Sequence, residues 1–365
     1  MSTANHSTLS EKFGIQYPIF GFTPSEHVAA AISRAGGFGV LGAVRFNDPA
    51  DLDAALTYMD ENTDGKPYGV DIVMPAKIPT EGTPKDLSSL VPQGHKEFVE
   101  RTLLKLGVPP LSGESGSGVL GWLHSVARSH VDVALGHRIS LIANALGSPP
   151  ADVIERAHEH GVPVAALAGT AAHARRHVDN GVDVVVAQGY EAGGHTGEIA
   201  SMVLVPEVVD AVGDRVPVLA AGGIGSGRQV LAAHALGAAG VWMGSYWLTT
   251  AEYQLGESPI QTALVRATSS DTVRARIYTG KPARLLKNRW TQAWEESDAP
   301  EPLPMPLQNL LVSEAHQRMN QGGDPEVVAM PVGQIVGRMN EIRPVAEVMT
   351  SLLAEIEDAR ARLKV

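Results

Sequence analysis

"PVLAAGGIGSGRQVLAAHALGAAGVWMGSYWL" spans residues 217–248. One apolar run ends in Gly222-Gly223, an amphipathic stretch opens near Ser226-Gly227-Arg228, and a second apolar run ends at Met243-Gly244-Ser245. Runs that are apolar on both faces belong to parallel strands covered by helices. The stretch therefore reads as strand, helix, strand, with a glycine-bearing turn at the C-terminal end of each strand.

The same rhythm runs through most of the chain. Candidate strands are "YPIF" from Tyr17, "FGVLG" from Phe38, "YGVDIVM" from Tyr68, "ISLIANAL" from Ile139, "VPVAALAG" from Val162, "VDVVVAQG" from Val182, "VPVLAAGG" from Val216 and "AAGVWMG" from Ala238. Amphipathic segments such as "SEHVAAAISRAGG" and "PADVIERAHEHG" lie between most of them, each with a glycine close after its last apolar turn, as helix C-caps prefer. Eight such units predict an α/β fold, a (β/α)8 TIM barrel, whose active site lies at the C-terminal ends of the strands. A doubly wound open sheet is the competitor, and eight strands overfill most of those.

Two regions interrupt the rhythm. From Pro75 to about Gly136 the chain is rich in Pro, Gly and Ser, too long for a simple βα loop, and is expected to be an insertion after the third strand. From about residue 251 the βα pattern stops. The expected organisation is a barrel over 1–250 with an insertion at about 75–136, and a C-terminal helical extension over 251–365 packed on it.

Composition narrows the function. The chain has 365 residues, 44% of them hydrophobic, a formal net charge of -11 and no cysteine. An acidic chain without a long basic run argues against nucleic acid and anionic membranes as partners. The lack of cysteine removes disulfides, thiolate metal sites, iron–sulfur ligation and cysteine nucleophiles. The N-terminus "MSTANHSTLSEKFGIQYP" has no signal-peptide core, and no apolar stretch approaches the ~20 residues of a bilayer span. A cytoplasmic enzyme acting on a small molecule is expected, with a homodimer kept open as its assembly.

In barrels, the loops after strands seven and eight frequently hold a phosphate on backbone N–H groups and a helix N-terminus. "GGIGSG" lacks the GxGxxG spacing of a dinucleotide fingerprint. By itself, the pattern points to a phosphate-bearing ligand without saying which.

A second stretch, "AQGYEAGGHTGE" at 187–198, sets a lone histidine after two glycines just past a strand. Coupled to "PVLAAGGIGSGR" and "GVWMGS", it resembles the nitronate monooxygenase (2-nitropropane dioxygenase) family, whose motifs the flavin-dependent enoyl-acyl-carrier-protein reductases share. The similarity extends through "FGIQYPIF", "SRAGGFGVLGA" and "KPYGVDIV" to "GKPARLLKNRW" and "PVGQIVG".

The resemblance implies an FMN-binding barrel. Gly222, Gly223, Gly244 and Ser245 would cradle the phosphate. Gln188, Gly193 and Gly194 would lie beside the flavin, the glycines letting the backbone pass close to the flat ring. Gly21 and Phe22 occupy the early loop that covers the flavin in relatives, and Asp71 stands where members usually have Asn. His195 would face the reactive side of the ring as a base or as a stabiliser of the anionic nitronate, suited to this by an ordinary pKa near 6.5. The implied activity is oxidation of alkyl nitronates or nitroalkanes with O2. The alternative is an NAD(P)H-dependent flavin reductase acting on an enoyl or other acyl thioester. "IFGFTPSEH" lacks the Gln and Met usual in the early loop of nitronate oxygenases, and Asp71 adds a potential negative charge, so substrate preference carries over less well than fold and cofactor.

Other features take plainer readings. Glu191 is read as an anchor of its loop. His173 and His177 sit one helical turn apart, a spacing that can ligate zinc, but no third ligand accompanies them, so no metal is expected and the pair is read as a solvated face. "RLLKNRW" is likewise read as solvated or salt-bridged. The five tryptophans are read as core or subunit packing.

Overall fold

The computed structural model describes residues 4–74, 89–111, 123–253 and 259–364. Its strands are β1 (Ile19–Thr23), β2 (Phe38–Gly42), β3 (Tyr68–Ile72), β4 (Ile142–Asn144), β5 (Val164–Ala168), β6 (Val184–Gln188), β7 (Gly194–His195), β8 (Val218–Ala221), β9 (Gly240–Met243), β10 (Thr272–Ala275) and β11 (Ala283–Leu286). Eight of them close a barrel in the order β1-β2-β3-β4-β5-β6-β8-β9, with β9 returning to pair in parallel with β1. These eight coincide with the eight apolar runs, and the fold is a (β/α)8 TIM barrel.

Alternation along each strand splits the core into two layers. Tyr68, Val70 and Ile72 of β3 face outward onto helices, beside Leu52, Leu56, Ala127 and Val131. Phe20, Phe38, Val40, Leu141, Val184, Val186, Leu219 and Trp242 fill the barrel interior. Phe13, from the helix Ala4–Phe13, meets Phe20 and Phe38 edge-on at 5.4 and 5.2 Å, plugging the end where the strands begin. Edge-on aromatic contacts of this kind add about 1 kcal/mol beyond area burial. The opposite, C-terminal end is left for chemistry.

That end is roofed by a three-stranded sheet in the order β10-β11-β7, in which Ala283 pairs antiparallel with His195 and Arg284 with Gly194. The C-terminal part is therefore not purely helical: two of its segments are strands, and they reach the loop that carries the histidine. Its last helix, Val345–Leu363, lies so close to the helix Gly227–Ala235 that a Cβ on Gly227 would come within 2.2 Å of the Leu352 carbonyl oxygen.

The insertion also ends earlier than its composition indicates. The helix His124–Leu135 belongs to the barrel, with Ala127, Val131 and Ala134 buried against the outer layer. The helix Gln93–Leu106 packs instead on the C-terminal region, where Phe98 meets Trp294 edge-on at 4.9 Å and Arg318 pairs with Glu100 at 3.1 Å. The rest of the insertion, 75–88 and 112–122, lies outside the described residues. Trp242, Trp247, Trp290 and Trp294 are all buried, as core tryptophans should be; Trp122 is not among the described residues. No helix among the described residues is long and apolar enough to cross a membrane.

Candidate active site

Gly222 and Gly223 follow β8 with φ of +100° and +71°, a left-handed backbone that glycine alone adopts without strain. Ser226 caps the next helix by accepting from the Gln229 N–H. Gln229 then braces the turn. Its Oε1 accepts from the Gly225 N–H and the Ser226 hydroxyl, both at 3.0 Å, and its Nε2 donates to the Gly223 carbonyl. After β9, Gly244 and Ser245 form a second turn. The N–H groups of Gly222, Gly223, Gly244 and Ser245 donate to nothing among the described residues, although all four residues are only half exposed. Unpaired N–H groups are uncommon in native structures. Grouped at one barrel mouth beside a helix N-terminus, they form a donor set for an anion.

The histidine loop is sewn to both turns. The Glu191 carboxylate accepts from the Ser201 N–H and lies 2.9 Å from the Ser201 hydroxyl, which is also 3.0 Å from the Gly222 carbonyl. Glu191 is thus the anchor its sequence context suggests. From the other side, Gly333 donates its N–H to Ser245 Oγ at 2.8 Å, and Gln334 donates to the Glu191 carbonyl at 2.9 Å. The Gly222 turn, the Gly244 turn and His195 therefore share one end of the barrel.

The two glycines before His195 have different reasons. A Cβ on Gly193 would lie 2.7 Å from the Gly333 nitrogen and the Val332 carbonyl carbon, so glycine is required there by protein backbone. Gly194 has φ +71° and meets nothing closer than Pro331 Cβ at 4.0 Å, leaving its exposed side open. Of the pair, only Gly194 leaves space that a flat ring could use.

His195 places Nε2 2.6 Å from Thr279 Oγ1, while its Nδ1 has no partner among the described residues. Burial, with the nearby Lys281 ammonium as a second cause, pushes its pKa down to about 4. The ordinary value near 6.5 therefore does not apply, and the ring is neutral at pH 7. Two arginines of the roof hold the loop in place. Arg284 is 3% exposed, donates from Nε and Nη2 to the Tyr190 carbonyl at 3.2 and 3.0 Å, and stacks 4.5 Å from the Tyr190 ring. Arg274 donates to the Thr196 hydroxyl and carbonyl, both at 3.0 Å, and pairs with Glu198 at 2.7 Å. The solvated reading of "RLLKNRW" fails at Arg284, which is a buried clamp.

Asp71 is the other unusual group. Along β3 its neighbours Val70 and Ile72 face the helices, so its side chain faces the barrel axis. It is 3% exposed, sits between Gly42 and Ala143 in register, and has no hydrogen-bond partner among the described residues. Burial, with no cation among the described residues to offset it, pushes its pKa up to about 8. In place of a negative charge, the site holds a neutral acid at pH 7. Gly21 and Phe22 belong to strand β1, not to a loop. The missing side chain of Gly21 points at Ile32 and Trp247, away from the mouth, whereas Phe22 lines the interior, stacked 6.3 Å from Trp242. Gln188 ends β6, half-buried, with no side-chain partner among the described residues.

The model of the nitronate monooxygenase family matches residues 5–355. The chain belongs to the nitronate monooxygenase family. A Mycobacterium tuberculosis protein with the provisional name of monooxygenase is 50% identical over 371 residues, covering 98% of each chain. Among solved structures, nitroalkane oxidase from Streptomyces ansochromogenes superposes with a TM-score of 0.81 at 27% identity, covering 97% of this chain and 99% of that one. FabK from Thermotoga maritima superposes at 0.71 with 27% identity, covering 98% of both chains. As a nitronate monooxygenase-type protein, the chain is an oxidoreductase.

Within this family member, the residues hidden from sequence reading are Thr279, Lys281, Arg284 and Gly333. "GKPARLLKNRW" and "PVGQIVG" were part of the resemblance, but nothing local marks which of their residues turn toward His195. Of the zinc-spaced histidines, one is held by hydrogen bonds at both ring nitrogens. His177 is buried, with Nδ1 2.6 Å from Ser148 Oγ and Nε2 3.1 Å from the Leu167 carbonyl, so it is a structural residue and not part of a solvated face. No cluster of three or more potential metal ligands occurs among the described residues.

Proposed function

We propose that this protein is an FMN-dependent nitronate monooxygenase that oxidises alkyl nitronates with O2. The observation that carries the reading is that the N–H groups after β8 and β9, and His195 Nδ1 at the same barrel end, have no partner among the described residues. The residues present fit the cofactor. Gly222, Gly223, Gly244 and Ser245 supply donors for a phosphate, and Asp71 and Gln188, without side-chain partners among the described residues, supply polar groups for a ring. Gly194 leaves a gap, and Phe22 gives an apolar wall; Gly193 and Gly21 serve by shaping the backbone on either side. When bound, FMN would supply the electron transfer to O2 that no side chain can perform.

The remaining work falls to the chain. The Lys281 ammonium, which helps depress the His195 pKa, sets a positive field at the mouth that favours an anionic substrate over a neutral one. A nitronate oxygen meeting His195 Nδ1 would be held by a hydrogen bond made stronger by its charge. The roof of β10 and β11 would limit water at that contact.

The likeness to FabK supports a second reading, an NAD(P)H-dependent flavin reductase acting on an enoyl or other acyl thioester. Anaerobic mixing of the FMN-loaded protein with an alkyl nitronate, NADH or NADPH separates the two. Fast bleaching of the flavin by the nitronate alone is expected. Fast bleaching by NADPH with none by the nitronate would reverse the assignment.

A further inference from the structure

We infer that Thr279 is a positioning residue that keeps the proton of neutral His195 on Nδ1, so that the imidazole meets its substrate as a hydrogen-bond donor and not as a base. Thr279 is 5% exposed, and its hydroxyl oxygen lies 2.6 Å from His195 Nε2. The same oxygen accepts from the Lys281 N–H at 3.4 Å. A hydroxyl has one hydrogen to give, and among the described residues His195 Nε2 is its sole acceptor. If the imidazole carried its proton on Nε2, two N–H groups would converge on one oxygen and the Thr279 hydrogen would be left unsatisfied in a buried place. With the proton on Nδ1, Lys281 N–H meets the Thr279 oxygen and the Thr279 hydrogen meets Nε2; only Nδ1–H is then without a partner among the described residues, and it belongs to the half-buried His195 and not to the buried Thr279. Leaving a buried donor unmade is the costlier choice.

The consequence bears on substrate form and rests on the nitronate reading above. A nitrogen that already carries a proton cannot take one from a carbon acid, and the doubly protonated ring is disfavoured by burial and by Lys281. The preformed nitronate anion is then the form used, and the neutral nitroalkane is not deprotonated in the site.

The tautomer can be read directly by nitrogen NMR of the protein labelled at histidine, with His195 assigned by its loss in His195→Gln. His195 should show a protonated Nδ1 and a bare Nε2 in the parent. Thr279→Val should shift it toward the other tautomer, and Thr279→Ser should restore it. A protonated Nε2 in the parent, or a tautomer unmoved by Thr279→Val in a protein that retains its fold, would overturn the inference. Kinetics provide an independent check: kcat/KM for preformed nitronate should exceed that for the neutral nitroalkane by about 100-fold or more, the scale of a missing general base. Equal values would also overturn it. Failure to bind FMN at all would strike the proposed function, while the NMR result would still decide the tautomer.

Discussion

Replacing Asp71 by Asn in the cofactor-free protein should stabilise it, and by an amount that grows with pH. The carboxyl has an ordinary pKa of 3.8 and is raised to about 8 by burial between Gly42 and Ala143, without a partner among the described residues. Between those values the folded chain retains a proton that the unfolded chain has released. Stability contributed by the neutral acid is therefore lost as pH rises from about 4 through about 8. At 1.36 kcal/mol per unit, the loss between pH 5 and pH 7.5 comes to about 3 kcal/mol from this one group. The amide is nearly isosteric and has no such slope. Urea unfolding of parent and Asp71→Asn at both pH values measures the difference. The variant's advantage should be about 3 kcal/mol larger at pH 7.5 than at pH 5. An advantage that is the same at both values would refute the claim that Asp71 is buried as an uncompensated acid.

Other residues make separate predictions. His195→Ala should retain FMN, because the donors after β8 and β9 are untouched, yet lose turnover by about 100-fold or more, the scale of one lost hydrogen-bond donor to a reacting anion; an unchanged kcat with a good nitronate would give the histidine another job. Gly193→Ala forces a Cβ to within 2.7 Å of the Gly333 nitrogen and the Val332 carbonyl carbon. Overpacking against backbone should cost about 1–3 kcal/mol and loosen the Pro331–Gln334 segment from the Glu191 loop. Urea unfolding, together with amide exchange at Gln334, reads both effects, and a variant as stable as the parent would show that the two backbones are not held in that contact.

The barrel was legible because its strands are buried on both faces. Runs such as "VDVVVAQG" and "VPVLAAGG" have no polar face to confuse them with a loop or helix. The paired glycines also announced their turns, since φ values of +100° and +71° at Gly222 and Gly223 exclude other residues in practice. What escaped reading depends on distant partners. Arg284 looks like a surface cation until Tyr190, 94 residues away, accepts its hydrogen bonds. Thr279 is an ordinary threonine until the roof sheet brings it to His195, 84 residues away. The helix His124–Leu135 was concealed by the Gly- and Ser-rich run before it. His195 and Asp71 could be named from sequence, but their protonation could not. Each pKa is set by desolvation, which a linear pattern does not encode.

On this structure, the backbone after β8 and β9 is expected to grip a phosphate. Flavin-free protein titrated with FMN and with riboflavin, followed by flavin fluorescence, tests it most directly, because the two ligands share the ring and differ only in that phosphate. Two hydrogen bonds to a charged group, at about 1.5 kcal/mol each, already correspond to a difference of roughly 100-fold in Kd. FMN should bind at least that much more tightly than riboflavin. Equal affinity for both, or binding of neither, would show that these turns hold no phosphate.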